Sequence, residues 1–224
     1  MALATTFVDR VDAGRRLGEE LLSFAPERPV VLGLARGGMP VAAEVARILD
    51  APLDVLLVRK LGVPYQPELA FGALGEGGAK VLNQQLVRQL ALTPSEMAVV
   101  EEREGVELAR RLLLYRAGHD ALSLEGRTAI IVDDGLATGA TARVAIEVVR
   151  SRGARAVVVA VPVASTEARD LIARVADVVV CLKTPAEFRA VGQWYENFDQ
   201  TPDDEVTRLL DEHRSQSTPK LGSA

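Results

Sequence analysis

Apolar residues recur at helical spacing between Asp9 and Phe24, where Val11, Leu17, Leu21 and Leu22 share one side. Pro26 and Pro29 end that pattern. The run PVVLGL, Pro29 to Leu34, follows without alternation, as in a strand buried on both faces. From Val41 the spacing turns helical again through Val45 and Ile48, and Pro52 breaks it. LDVLLV, Leu53 to Val58, reads as a second buried strand, completing a βαβ unit. The second half repeats the alternation. Strands are predicted at Thr128–Val132, Ala156–Val161 and Asp177–Leu182, with helices at Thr141–Arg152 and Ser165–Val175 between them. This order predicts an α/β fold with a doubly wound, mostly parallel sheet.

Two stretches depart from the alternation. From Arg59 to Ala79 the sequence RKLGVPYQPELAFGALGEGGA loses regular period. It reads as a long loop with a short hairpin around Phe71 to Leu74, and 61–79 is the expected flexible closing loop. Thr93, Pro94 and Glu96 then form a capping box with proline at the first helical position, so a helix is predicted over 94–116, stopping at Gly118. Its charge-rich segment EEREGVELARR predicts a largely solvated face. Beyond the core at 1–182, a small hood is expected at 183–212, with an aromatic segment and a last helix near Asp203 to Leu210. The tail 213–224 is expected to be disordered.

Composition narrows the chemistry. The chain is 48% hydrophobic but only 4% aromatic, so Val, Leu, Ala and Ile must build its core. A formal net charge of -5 gives no basic bias toward nucleic acid. The lone Cys181 cannot form an internal disulfide, which points to a reducing, cytoplasmic setting. No Cys/His cluster has metal-ligand spacing. The N-terminus lacks a long apolar region, so no signal peptide is expected, and no apolar run reaches membrane-spanning length.

The most informative stretch is TAIIVDDGLATGATARV, Thr128 to Val144. An apolar strand delivers Asp133 and Asp134 to its C-terminal end, where ligands bind in open α/β sheets. A small-residue loop and a helix start follow. Unpaired N–H groups and the positive end of the helix dipole suit a phosphate there. Ala137, Gly139 and Ala140 allow close backbone approach, and Thr138 and Thr141 add hydroxyls. Two carboxylates beside a phosphate need a partner other than the anion: a sugar diol or a cation. The residues therefore point to a phosphorylated sugar.

Apolar residues, two acids and a T-G-x-T loop resemble the signature that binds phosphoribosyl pyrophosphate (PRPP) in type I phosphoribosyltransferases. The resemblance runs from about Val30 to Cys181. The segments LARGGMPVA, VRKLGVP, VDDGLATGAT and VGQWYENF further resemble a bacterial group of phosphoribosyltransferases whose acceptor is undefined. It implies that Asp133 and Asp134 bind the ribose hydroxyls and that Ala137, Thr138, Gly139, Ala140 and Thr141 bind the 5′-phosphate. It also implies a pyrophosphate site at Ala35, Arg36, Gly37 and Gly38, with a strained, candidate cis peptide at Ala35–Arg36. Arg59 and Lys60 would complete that site, and the following mobile loop would close over it. Mg²⁺ is expected to ride on PRPP oxygens, touching Asp133 and Asp134 directly or through water.

The implied reaction moves the 5-phosphoribosyl group to a nitrogenous acceptor and releases pyrophosphate, with Arg36, Lys60, Asp133 and Asp134 in catalytic roles. A homodimer is expected by the same resemblance. Two departures bear on the acceptor. Gly135 replaces the usual apolar residue, and Ala137 stands where the hypoxanthine–guanine branch has Asp, which disfavours a 6-oxopurine. Glu68 and Glu76 are candidate acid–base groups. Phe188, Trp194 and Tyr195 are candidates for stacking on a planar acceptor. A non-enzymatic PRPP-sensing regulator of the same fold remains the alternative.

Overall fold

The apolar runs without alternation become the strands of one parallel sheet. A computed structural model of the chain describes residues 6–217. The strands are β1 (Val30–Leu34), β2 (Leu53–Leu56), β6 (Thr128–Val132), β7 (Ala156–Val163) and β8 (Val178–Lys183), in the order β2-β1-β6-β7-β8. Every neighbouring pair is parallel. β1 and β6 are buried at all five positions, which explains why neither shows a two-residue period.

Helices cover both faces. On one side α1 (Arg10–Glu20), α2 (Gly38–Leu49) and α7 (Asp203–Ser217) enclose a core of Leu17, Met39, Val45, Ile130 and Leu210. On the other side α5 (Ala140–Ser151) and α6 (Thr166–Ile172) enclose Leu32, Ile131, Val148, Val159 and Ile172. The strand order reverses between β1 and β6, so the C-terminal ends of these two central strands form the crevice where doubly wound sheets hold ligands. Among the described residues no helix is long and apolar enough to cross a membrane.

The segment expected to be a long loop instead forms strands over most of its length. β3 (Val58–Val63) and β4 (Gln66–Gly75) form an antiparallel hairpin, joined by β5 (Lys80–Leu82) into a separate three-stranded sheet. Leu61, Val63 and Phe71 are fully buried there, packed with Leu92 and Val100. Glycines and prolines conceal the strand period from a sequence reading. Gly62 marks the reason: the β3–β4 register shifts beside it, and a Cβ would lie 2.4 Å from the Pro67 carbonyl oxygen.

The long helix α4 (Pro94–Arg116) forms as the capping box predicts. The Thr93 hydroxyl accepts from Glu96 N at 3.2 Å, and the Glu96 carboxylate accepts from Thr93 N at 2.8 Å. A short α3 (Gln84–Gln89) precedes it. α7 corrects the expected tail, because it continues through 213–217; the remaining tail residues lie outside the described residues. His213 shows why the helix persists, its ring Nε2 lying 2.9 Å from the Ala51 carbonyl oxygen.

Candidate functional site

At the end of β6, Asp133 and Asp134 turn toward the start of α2. The peptide between Ala35 and Arg36 is cis, and Gly37 and Gly38 bring that turn against the acids. A Cβ on Gly37 would lie 2.2 Å from Asp134 Oδ2, and one on Gly38 would lie 2.6 Å from the Val132 carbonyl oxygen. Glycine is therefore required at both positions by the close approach of two strand ends. The two sequence motifs thus meet across the β1–β6 crevice.

The acids are not equivalent. Arg10 of α1 reaches Asp134 Oδ2 through both Nε and Nη2 at 2.9 Å. Its Nη1 donates to the Asp199 carbonyl at 2.6 Å, and its guanidinium lies 3.9 Å from the centre of the Phe198 ring. Asp133 instead accepts from the backbone N–H of Asp134 at 2.9 Å. Burial, reinforced by the neighbouring Asp134 charge, holds the Asp133 carboxyl well above the usual carboxylate range. Burial also raises Asp134, against the opposing pull of Arg10. Nothing in the sequence singles out Arg10, one charge among several on an amphipathic helix.

The loop after the acids leads into α5. Gly139 occupies the left-handed region at φ 73°, where a side chain is disfavoured, and caps the helix. Thr138, Ala140 and Thr141 line a cavity of about 780 Å³ between this helix start and the three-stranded sheet. Lys60 and Glu68 line it from the hairpin, and Asn83 and Arg143 contribute polar groups. An anion-competent helix start and an exposed cation therefore share one cleft. The carboxylates of Asp133 and Asp134 do not line this cavity; they stand against the α2 turn at Gly37 and Gly38.

Several expected site residues are engaged elsewhere. Arg59 alternates away from Lys60 on β3 and donates to Glu104 of α4 at 2.6 and 2.9 Å, so it braces that helix. Glu76 is buried, 2.8 Å from Arg116 and 3.4 Å from Arg152, which removes it as an acid–base candidate. Glu68 is exposed and remains on the cleft. The Arg36 guanidinium lies 3.7 Å from Asp203 at the start of α7, not free over the crevice.

The aromatic segment divides in two. Trp194 and Tyr195 are buried with Phe7, Ala13 and Val163, so they build the hood's core and do not form an open stacking surface. The hood is stitched to the N-terminal segment, since Phe7 N donates to the Trp194 carbonyl at 2.8 Å. The Tyr195 hydroxyl donates to the Asp134 carbonyl at 2.6 Å, fixing the hood to the acid pair. The Trp194 indole N–H and Lys183 Nζ are buried without a hydrogen-bond partner among the described residues. Phe188, in contrast, lines an open cavity of about 760 Å³ with Ala137, Thr138, Ser165 and Arg189. Gly135 fits beneath the hood: a Cβ there would sit 2.6 Å from Val191 Cγ1. That contact accounts for its departure from an apolar side chain.

The arrangement resembles known proteins over most of its length. The family model described as a phosphoribosyl transferase domain matches residues 76–205. Two proteins of Mycobacterium tuberculosis, strains CDC 1551 and H37Rv, are each 56% identical over 205 residues, or 92% of this chain. Both are provisionally named phosphoribosyl transferases, and the chain spans 46% of their length, about half. A crystal structure of the protein TT1426 from Thermus thermophilus superposes with a TM-score of 0.82 at 45% identity, covering 92% of this chain and 98% of that one.

Proposed function

Because the chain belongs to the phosphoribosyl transferase domain family, we propose that it transfers the 5-phosphoribosyl group of PRPP to a nitrogenous acceptor. In this reaction the acceptor nitrogen forms a bond to ribose C1, the C1–oxygen bond to pyrophosphate breaks, and the acceptor gives up a proton. The observation that carries the reading is the meeting of the Gly37–Gly38 turn with Asp133 and Asp134 at the strand-order reversal.

Each part of the donor has a fitting counterpart. The 5′-phosphate is assigned to the α5 start at Ala137–Thr141, and the ribose diol to the two carboxylates, which accept from its hydroxyls. Pyrophosphate is assigned to the Ala35–Gly38 turn and Lys60, whose cation would offset charge developing on the leaving group. Arg59 is left out of this set by its pairing with Glu104. The acceptor is assigned to the hood side, near Phe188 and Ala137, and Ala137 supplies no acid–base group for a 6-oxopurine.

The family's use of Mg²⁺ fits these residues only in part. Among the described residues no group of three or more His, Cys, Asp or Glu side chains converges on one point. Asp133 and Asp134 alone would face the ion, with substrate oxygens and water completing its shell. When bound, Mg²⁺ supplies charge neutralisation to the pyrophosphate group.

Calorimetric titration with Mg²⁺–PRPP tests the donor site. Asp133→Asn/Asp134→Asn is expected to weaken binding by at least about 100-fold, the loss of two buried charge-assisted contacts, and unchanged binding would defeat the assignment. Pyrophosphate release is then screened across nucleobases and small amines. Release with at least one acceptor supports transfer, whereas tight PRPP binding with no release from any of them favours a sensor.

A further inference from the structure

The cavity that Phe188 lines also holds two arginines to which the donor site gives no role. Arg189 follows Phe188 in the hood, and Arg174 stands just after α6. Both are exposed, and neither guanidinium has an ion pair or hydrogen-bond partner among the described residues. Arg169, within α6, is by contrast paired with Asp170 at 2.6 Å.

The loop that carries Phe188 and Arg189 is fixed from within. The Gln193 side-chain carbonyl accepts from Arg189 N at 3.1 Å and from Ala190 N at 3.2 Å, and its amide donates to the Glu187 carbonyl at 2.9 Å. Phe188 is half-buried and packs against the hood core. The loop backbone is thus held by hydrogen bonds while the Arg189 guanidinium stays free.

We propose that the acceptor carries a carboxylate, read by Arg189 and Arg174 while its ring lies against Phe188. This deepens the transferase reading and rests on it. The neutral edge of a base is read by groups that both donate and accept, as side-chain amides do. No Asn or Gln lines this cavity. The Ser165 hydroxyl is already engaged, donating to the Ala137 carbonyl at 2.9 Å and accepting from Ala168 N at 3.0 Å. The Thr138 hydroxyl accepts from Ala140 N at 3.4 Å within the phosphate loop. What remains is two guanidinium forks, whose geometry matches a carboxylate. Two carboxylates share the lining, but Asp170 is held by Arg169 and only Glu167 is uncompensated, so the free charge is positive. The donor's 5′-phosphate is assigned to backbone N–H groups at the α5 start, so these cations answer to a second anion. In the transfer step the ring nitrogen bonds to ribose C1, and the carboxylate is left unchanged.

Pyrophosphate release tests this with pyridine, pyrimidine and imidazole carboxylates, each against its own carboxamide, alongside neutral nucleobases. At least one carboxylate is expected to exceed its carboxamide by about 10-fold or more in kcat/KM, the scale of one charge-assisted contact. Arg189→Gln and Arg174→Gln should each lower that ratio, and the double variant should erase it. Arg189→Lys should retain part of it, because the charge persists without the fork. Both positions are exposed, and melting temperatures check that the variants fold.

Equal or better use of the carboxamides or of the neutral nucleobases overturns the proposal and leaves the transferase reading standing. A carboxylate preference that survives the double variant does the same. Calorimetry with Mg²⁺–PRPP separates donor from acceptor. A double variant that loses PRPP affinity places the arginines on the 5′-phosphate and overturns the acceptor assignment. Tight PRPP binding with no release from any acceptor removes the transferase reading itself, and this proposal with it.

Discussion

Asp133 sits where burial and its proposed role conflict. Its carboxyl is held well above the usual range by burial and by the neighbouring Asp134 charge. A raised folded-state pKa stabilises the fold fully below the unfolded value, and that stabilisation is lost as pH rises through the folded value. Above it, the ionised side chain opposes folding. Asp133→Asn is therefore expected to raise the melting temperature at alkaline pH, by about 2–4 °C per kcal/mol regained in a chain of this size. The gain should disappear in acid, where Asp133 is itself neutral, and PRPP affinity should fall in parallel. Thermal melts across pH check the sign. Arg10 acts on the second carboxyl: it opposes the upward shift of Asp134. Arg10→Ala is expected to move the pH midpoint of PRPP binding upward, as read by calorimetry at several pH values. Asp133 and Asp134 were legible as a pair because their spacing and flanking strand are local. Arg10 was not, because its contact spans 124 positions of chain.

At the scale of elements, the three-stranded sheet is tied to the parallel sheet by a buried ion network. Arg116 at the end of α4 lies 3.3 Å from Asp54 of β2 and 2.8 Å from Glu76 after β4, and Arg152 joins Glu76 at 3.4 Å. Removing one member leaves the others charged in a low-dielectric setting. Arg116→Met is expected to cost about 3–5 kcal/mol, measured by urea unfolding. Asp54→Asn in the same background should recover part of that loss. The network also explains the corrected role of Glu76. A single carboxylate within a glycine-rich stretch reads as surface, and only the folded hairpin turns it inward. The strands of the parallel sheet were legible because continuous apolar runs have one stable solution, burial on both faces. The hairpin escaped because a bulge at Gly62 and the prolines break its two-residue period.

Across the whole molecule, the proposed donor site draws on four separated segments: the N-terminal helix, the β1–α2 turn, the hairpin and the β6–α5 loop. A ligand that bridges them should stabilise all of them together. Mg²⁺–PRPP at about 100 times its Kd is expected to add about 2.7 kcal/mol, hence roughly 5–11 °C in melting temperature. Differential scanning fluorimetry reads the shift. The same titration with ribose 5-phosphate, which lacks pyrophosphate, should give a smaller one.

The sequence alone determined the alternation of buried strands and helices, the capped α4, and the acid pair followed by an anion-competent helix start. Each is set by interactions within a few residues: apolar period, cap hydrogen bonds and backbone freedom at glycine. Tertiary structure decided which charges are available. It pairs Arg59 with Glu104, buries Glu76 and the Trp194–Tyr195 pair, and brings Arg10 to Asp134. Those outcomes depend on which face of an element packs inward and on what lies opposite. That is a property of the assembled layers, which local spacing does not encode.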